Sequence, residues 1–489
     1  MLYTLRGTSL EAKAPEDSDA AEKLYQQIRV GFSLLSQIED YCGSKVDQLA
    51  RYMQRLTENR FKQPIDVEEE PQADENIVDN VNTDNEDNNE KSPIIQLPPP
   101  TPDPHTQICQ PPKQVCPEHK RFSSQSNQIP LHRYPHNQPI FQSKNISHLI
   151  NEAIRSNDYY DETLHVISVI SNICEFKRRW ELFKEFQARM EKEERCRTDS
   201  PPGTGPRMKF YVVELAYGQQ MFHVTDTKNP RHLQLRTEHA LWHKENMINV
   251  GVKKLFPTEW KAMAWIDADI EFDNLNWVGD TLKVMNVCDV AQMFSICFDM
   301  DKSPGNVLAT WISHGTKQAH GHTFYSLRND PSAWHCGYGF AYSRHFWDKM
   351  GGMYDRSIIG NGDNIMCKMF LNDPYFYNAS YRNQIFRNHI YDYASRIKDA
   401  SRFEKDEDEN EEHRSLRVGY VPGAIIHHFH GKKTNRQYDV REQIPIRHKY
   451  DPTKHITEDE NGIMVPTEEM PVDILKDLLK MFATRNEDE

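Results

Sequence analysis

From residue 160 onward, short apolar runs alternate with segments whose apolar residues recur at helical spacing. The run at 164–171 is apolar, rich in β-branched residues and short enough for a buried strand. The same pattern predicts further strands at 209–215, 262–266 and 289–295, and helices at 175–192 and 237–250. Strands that alternate with helices predict an α/β fold with a mostly parallel sheet covered by helices. Ligands bind such sheets beyond the carboxyl ends of the strands.

The first 160 residues follow a different pattern. In 18–58, apolar residues recur at steps of three, four or seven, which predicts a helix. Two interpretations stay open: the helix packs on its own chain, or it self-associates as a coiled coil. The acidic and proline-rich stretch that follows predicts a disordered linker.

The apolar spacing in 467–485 predicts an amphipathic helix that packs on the main domain. The domains predicted in this way are a helical segment at 1–61, a linker at 62–150, a main domain at 160–445 and a tail at 446–489.

Charge and hydropathy narrow the class of protein. The 489 residues carry a net charge of −14, with 37% hydrophobic residues and a mean hydropathy of −0.79. Eleven acids lie in 66–90 and seven in 404–412, so the rest of the chain is near neutral, and we expect no nucleic-acid partner. No apolar run approaches the roughly 20 residues of a membrane span. With no secretory signal and nine cysteines, none in a Cys-x-x-Cys pair, we expect a cytoplasmic protein with free thiols.

An acidic pair directly follows a predicted buried strand. Asp267 and Asp269 come after the apolar run 262–266, so both carboxylates can face one cleft. Two close anions repel each other unless a cation lies between them. A hard divalent ion, bound by carboxylates on one side and phosphate on the other, would satisfy both.

Histidines and bases cluster near the end of the main domain. If 424–430 is a strand, alternation places His428 and His430 on one face and His427 on the other. Imidazoles beside the two aspartates would complete a mixed oxygen and nitrogen site suited to manganese. Lys433 and Arg436 follow and could hold phosphate charge. A surface histidine cluster is the alternative.

Two further segments combine glycine with polar or aromatic residues. Gly362 precedes Asp363 at the start of a predicted helix, where Asp363 either caps the helix or acts as a general base. Trp334 and Gly337 belong to an aromatic, glycine-containing segment. Such a segment either stacks on a sugar ring or fills the core.

Six segments, taken in order, resemble GT-A glycosyltransferases, a Rossmann-like fold, and in particular viral, phage and bacterial family-2-like enzymes. The resemblance covers about 160–445. It rests on Ser171-Asn172 with Arg178-Arg179, Val213-Glu-Leu-Ala-Tyr-Gly218, Trp242-His-Lys-Glu-Asn-Met-Ile-Asn-Val-Gly251, Asp267-Ala-Asp269, Gly360-Asn-Gly-Asp363 and His430-Gly-Lys-Lys-Thr-Asn-Arg-Gln-Tyr438. The third of these segments is similar to β-1,4-galactosyltransferases.

The resemblance implies a role for each matching residue. Asp269, Asp267 and His430 would hold Mn²⁺ (or Mg²⁺), with His428 as the alternative histidine. Asp363 would be the catalytic base. The nucleotide-sugar would contact Asn172, Arg178, Glu214, Lys244, Asp267, Lys433 and Arg436. The acceptor would contact Trp334, Gly337 and Gly362.

The resemblance also implies an activity. The expectation is a metal-dependent glycosyltransferase that moves a sugar from a nucleotide-sugar, in first place a UDP-sugar, to a glycan, a protein glycan or another hydroxyl acceptor with inversion. Because the enzymes that this chain resembles include viral ones, the resemblance also implies a viral origin. The alternative is an inactive GT-A scaffold that recruits partners through the N-terminal helix and the proline-rich arm.

Overall fold

The structure is a computed structural model that describes residues 145–199, 205–303, 305–321, 334–371, 383–405 and 412–488. The predicted helical segment 1–61, the self-association of 18–58 and almost all of the predicted linker lie outside these residues. At the boundary the structure corrects the prediction. Helix α1 begins at Ser147, so the folded part starts before 150 rather than at 160. Ile150 and Ala153 are buried on this helix, and burial of these apolar side chains explains why it belongs to the fold.

Sixteen strands occur in the described residues. They are β1 (Thr163–Ser171), β2 (Arg207–Tyr217), β3 (His232–Thr237), β4 (Ala262–Ile266), β5 (Ile270–Phe272), β6 (Val290–Gln292), β7 (Ile296–Met300), β8 (Val307–Ser313), β9 (Trp334–His335), β10 (Gly339–Ser343), β11 (Arg402–Lys405), β12 (Glu412–Ser415), β13 (Val418–Tyr420), β14 (Ala424–His427), β15 (Ile456–Glu458) and β16 (Met464–Pro466).

Eleven α-helices occur in the same residues. They are α1 (Ser147–Arg155), α2 (Lys177–Asp199), α3 (Lys244–Leu255), α4 (Trp277–Val284), α5 (His314–Ala319), α6 (Arg344–Met350), α7 (Gly362–Leu371), α8 (Gln384–Ala400), α9 (Tyr438–Arg441), α10 (Gln443–Arg447) and α11 (Val472–Ala483), with a 3₁₀ turn at Lys433–Arg436. Within the described ranges, no helix is long and apolar enough to cross a membrane.

The central sheet has seven strands in the order β13-β6-β10-β4-β1-β2-β3. Strand β1 runs parallel to β2 and β4, β2 runs parallel to β3, and β13 runs parallel to β6. Only β10 is antiparallel to its neighbours, β4 and β6. The predicted α/β fold with a mixed, mostly parallel sheet is therefore confirmed.

Helices cover both faces of this sheet. Alternate residues of one strand point to opposite faces, so Val166 and Ile167 of β1 belong to different cores. Helix α2 packs Phe183 and Phe186 into one core, and α3 packs Met247 into the other. A strand that is buried on both faces has to be apolar throughout, which explains the uninterrupted apolar runs of the sequence.

A second, five-stranded sheet follows the order β5-β14-β7-β8-β9. Strand β14 runs antiparallel to β5 and pairs His427 with Ile270, just beyond the acidic turn that follows β4. Beyond the end of β14, the amide of His428 donates to the carbonyl oxygen of Asp269 at 2.8 Å. The two sheets thus bring the predicted acidic turn and the predicted histidine segment together, although about 160 residues separate them in the chain.

Helix α11 occupies the predicted C-terminal helix, with bounds 472–483 instead of 467–485. Ile474, Leu478 and Phe482 are buried in the same core as α3. Met481 is buried as well, whereas Leu479 is 51% exposed. The helix packs on the main domain and carries the residues after it to the edge of the central sheet.

Candidate active site

A cavity of about 810 Å³ opens at the carboxyl ends of β1 and β4. Parallel strands end at one edge of a sheet, so loops from distant parts of the chain meet there. Several predicted site residues line this cavity: Lys244, Asp267, Asp269, Trp334, Gly337, Asp363, His430, Lys433 and Arg436. His427, Arg179 and Arg485 line it as well.

Asp269, His427 and His430 form a candidate metal centre. Their ligand atoms all lie within 4.8 Å of one another. Oδ2 of Asp269 is 2.8 Å from Nε2 of His430 and 3.6 Å from Nε2 of His427. Oδ1 of Asp269 is buried and has no hydrogen-bond partner among the described residues. Two imidazole nitrogens and an orphaned carboxylate oxygen fit a divalent ion such as Mn²⁺.

The carboxyl group of Asp269 is in the charge state that a metal ligand requires. Burial by itself would raise the pKa of Asp269, but the adjacent His427 and His430 hold that pKa well below its usual range. Asp269 is therefore a carboxylate at neutral pH, the form in which it binds cations.

The predicted pairing of His428 with His430 is wrong. Strand β14 ends at His427, so the alternation of faces stops there and residues 427 and 430 turn towards the same side. Nε2 of His428 instead lies 3.4 Å from Oε2 of Glu271, outside the group of three. The face rule holds only for as long as the backbone stays extended.

Asp267 has a different neighbour from Asp269. Its Oδ1 lies 2.6 Å from Nζ of Lys244, which is the first residue of α3. The same ammonium lies 4.3 Å from the ring of Trp265, a cation–π distance. The first carboxylate of the acidic pair is thus neutralised by a lysine, and Asp267 does not belong to the group of three that surrounds Asp269.

Asp363 lies in the first turn of α7 and faces the cavity. Its Oδ1 accepts a hydrogen bond from the amide of Asn364 at 2.7 Å. Burial raises the pKa of Asp363, against the opposing effect of Lys244, and Asp267 raises it further. A carboxyl group with a raised pKa that faces a cavity is suited to accept a proton near neutral pH.

The two predicted acceptor-side glycines differ in position. A Cβ at Gly337 would lie 3.0 Å from Oδ2 of Asp363, so this glycine keeps the carboxylate accessible. A Cβ at Gly362 would lie 2.5 Å from Oε1 of Glu245, so this glycine serves packing. Burial raises the pKa of Glu245 to about 8, partly offset by Lys244. The sequence offered no signal for this buried acid.

Three of the predicted nucleotide-binding residues hold local structure. The side chain of Asn172 bonds both the amide and the carbonyl of Phe176. The Glu214 carboxylate accepts from three successive amides, at 223–225. Arg178 forms ion pairs with Glu181 and Glu185 along α2.

Arg179 lines the cavity in place of its neighbour Arg178. The helical turn separates adjacent residues by about 100°, so only one of the two arginines can face the sheet edge. The resemblance implied Arg178 as the nucleotide contact, whereas Arg179 is the member of the pair that lines the cavity.

Two buried acids that contact the histidines of the candidate metal centre were not predicted from the sequence: Asp299 at His427 and Glu487 at His430. Asp299 interrupts the apolar run of β7, and a lone acid in such a run is a signal that could have been used. Glu487 lies in a polar stretch beyond α11, where no sequence pattern distinguishes it.

No family model and no curated protein matches this chain. Among solved structures, the catalytic domain of Drosophila β1,4-galactosyltransferase 7 with xylobiose matches at 12% identity and a TM-score of 0.21, over 42% of this chain and 59% of that chain. A mutant of the same enzyme in complex with manganese, UDP-Gal and xylobiose matches at 12% identity and a TM-score of 0.27, over 65% of this chain and 98% of that chain. At such TM-scores the likeness carries no argument about the activity of this chain.

Proposed function

We propose that this chain is a metal-dependent glycosyltransferase of the GT-A type that uses a nucleotide-sugar, in first place a UDP-sugar, and a glycan or other hydroxyl acceptor. The observation that carries the proposal is the placement of Asp363 in the same cavity as Asp269, His427 and His430. A base and a cation site that face one cavity supply the two functions that sugar transfer from a diphosphate needs.

The donor side of the cavity is basic. Lys433, Arg436 and Arg179 line the wall next to the candidate metal centre, and Nη2 of Arg436 lies 2.8 Å from Nε2 of His430. Guanidinium and ammonium groups bind phosphate oxygens through charge-assisted hydrogen bonds. A bound Mn²⁺ would stabilise the negative charge that develops on the leaving diphosphate.

Asp363 defines the acceptor side. Its carboxylate accepts the proton of the acceptor hydroxyl while that oxygen bonds to the anomeric carbon. The bond from the anomeric carbon to the diphosphate oxygen breaks in the same step, and its electrons leave with the nucleoside diphosphate. A single displacement of this kind inverts the anomeric centre.

The test is release of nucleoside diphosphate from a panel of nucleotide-sugars with Mn²⁺. The wild type should turn over at least one donor, and Asp269→Ala should lose that turnover. Asp289→Asn is the matched control, because Asp289 is a buried acid bonded to Arg402 and to the amide of Arg417. Absence of metal-dependent turnover with every donor would overturn the proposal and favour the inactive scaffold.

A further inference from the structure

Each histidine of the candidate metal centre has a buried carboxylate at its other ring nitrogen. Nδ1 of His427 lies 2.8 Å from Oδ1 of Asp299, and Nδ1 of His430 lies 3.5 Å from Oε2 of Glu487. The side chains of the two acids are only 1% and 2% exposed. We propose that Asp299 and Glu487 are positioning residues that hold both Nε2 atoms towards Asp269 and so tighten cation binding. The inference rests on the proposed metal site.

Strand pairing places Asp299 behind His427. Strand β7 runs parallel to β14, and their register pairs these two residues directly. Tyr338 Oη at 2.7 Å, Trp311 Nε1 at 2.6 Å and Lys433 Nζ also donate to the Asp299 carboxylate. An ionised carboxylate can only accept, so His427 Nδ1 donates. In the neutral ring, which is the form that binds a cation, the lone pair is thereby left on Nε2, on the side of Asp269.

Tertiary structure alone brings Glu487 to His430. Its carboxylate is bonded by Nη1 of Arg179 at 2.9 Å and by Nε of Arg485 at 2.6 Å. Nε of Arg179 also donates to the carbonyl oxygen of Ser171, the last residue of β1, at 3.0 Å. Glu487 is thus tied to the sheet edge at which the metal centre lies.

The next residue strengthens this anchor. Oδ1 of Asp488 accepts from the amide of Arg178 at 2.8 Å, at the start of α2. The segment after α11 is therefore held at two points, by Arg179 at Glu487 and by the amide of Arg178 at Asp488. This anchoring keeps the Glu487 carboxylate next to His430.

Glu487 also sets the charge around the centre. Arg179 and Arg485 both line the cavity, and the Glu487 carboxylate neutralises part of their charge. Without that carboxylate, two guanidinium groups would repel a cation held by Asp269 and His430. The contact at 3.5 Å is longer than an ordinary hydrogen bond, so we expect charge to contribute as well as orientation.

The affinity of the full chain for Mn²⁺ tests the proposal, measured by titration calorimetry after removal of metal with EDTA. Asp299→Asn and Glu487→Gln should each weaken Mn²⁺ binding by about 10–100-fold, the usual cost of losing a partner behind a ligand. Asp289→Asn, the same change at a buried acid bonded elsewhere, should bind as tightly as the wild type. Thermal unfolding in EDTA checks that each variant folds.

The ring nitrogens of the two histidines give a readout that needs no metal. With ¹⁵N-labelled histidine, the Nδ1 atoms of His427 and His430 should each carry a proton in the wild type, and their signals are assigned by their loss in His427→Ala and His430→Ala. An Nδ1 without a proton would overturn the positioning role of the acid concerned, even if Asp299→Asn fails to fold. Unchanged Mn²⁺ affinity in folded Asp299→Asn and Glu487→Gln would also overturn it. A wild type that shows the Nδ1 proton but binds no Mn²⁺ would instead overturn the proposed function.

Discussion

Nζ of Lys244 lies 2.6 Å from Oδ1 of Asp267, whereas the carboxylate of Asp269, two residues later, faces the rings of His427 and His430. The two acids of one short turn therefore meet different partners. A cation is already supplied to Asp267 by the protein itself. Asp269 lies between two imidazole rings, and its second oxygen has no hydrogen-bond partner among the described residues.

We expect substitutions of these two aspartates to separate metal binding from other functions. Asp269→Asn should weaken Mn²⁺ binding by more than the ~10–100-fold that loss of an outer partner costs, because it removes a charged ligand. Asp267→Asn should change Mn²⁺ affinity by less than about tenfold, because Lys244 already neutralises that carboxylate. Titration calorimetry of both variants checks this. Equal losses of Mn²⁺ affinity would show that Asp267 binds the ion as directly as Asp269 does.

The two adjacent histidines provide a second comparison. His427→Ala should weaken Mn²⁺ binding by at least about 100-fold, because it removes one of three clustered donors. His428→Ala should leave Mn²⁺ affinity at the wild-type value, because its ring is paired with Glu271. Wild-type Mn²⁺ affinity in His427→Ala, together with a loss of affinity in His428→Ala, would favour the pairing of His428 with His430 that strand alternation predicts. Thermal unfolding without metal identifies any loss that comes from misfolding.

The raised pKa of Asp363 sets the expected pH profile. Burial favours the protonated form, and only the carboxylate can accept the acceptor proton, so activity should increase as pH rises through this pKa. The acidic limb of kcat/KM should lie above the ordinary aspartate pKa of about 3.9.

Asp363→Asn gives the matching substitution. It should lower kcat by about 10²–10⁴-fold while Mn²⁺ affinity stays near the wild-type value, because Asp363 lies outside the metal group. A variant that retains full activity, or that loses Mn²⁺ binding, would contradict the assignment of Asp363 as the base.

Gly360 links backbone conformation to the cavity wall. Its φ is +78°, and a Cβ there would lie 2.5 Å from the ring of Trp242, a wall residue. Gly360→Ala should lower the free energy of unfolding by more than about 2 kcal/mol, since the left-handed conformation costs about 1 kcal/mol and the clash adds to it.

Gly305→Ala is the control for the backbone cost alone. Its φ is +79°, with no described atom within 4 Å of the added Cβ, so we expect a loss of only about 1 kcal/mol. Urea unfolding of both variants gives the comparison. Equal losses would mean that Trp242 moves aside without cost.

Local patterns in the sequence predicted four of the seven strands of the central sheet, β1, β2, β4 and β6, and part of the cavity. The apolar runs of β1 and β4 predicted buried parallel strands, and the position of Asp267 and Asp269 just after β4 predicted a site at the carboxyl edge. These predictions depend on the preferences of neighbouring residues, which the chain carries locally. Boundaries were less exact, as in α11, because the ends of helices depend on caps and packing.

Local patterns did not determine which side chains meet in the cavity. The sequence by itself determined an α/β chain with an acidic turn after a buried strand and a histidine-rich segment far beyond it. Only the tertiary structure decided that His427 rather than His428 joins His430, that Arg179 rather than Arg178 faces inward, and that Asp299 and Glu487 lie behind the histidines. The physical reason is that the end of one strand, the phase of one helix and contacts between residues far apart in the chain select these pairs. A pattern among neighbouring residues reports none of these.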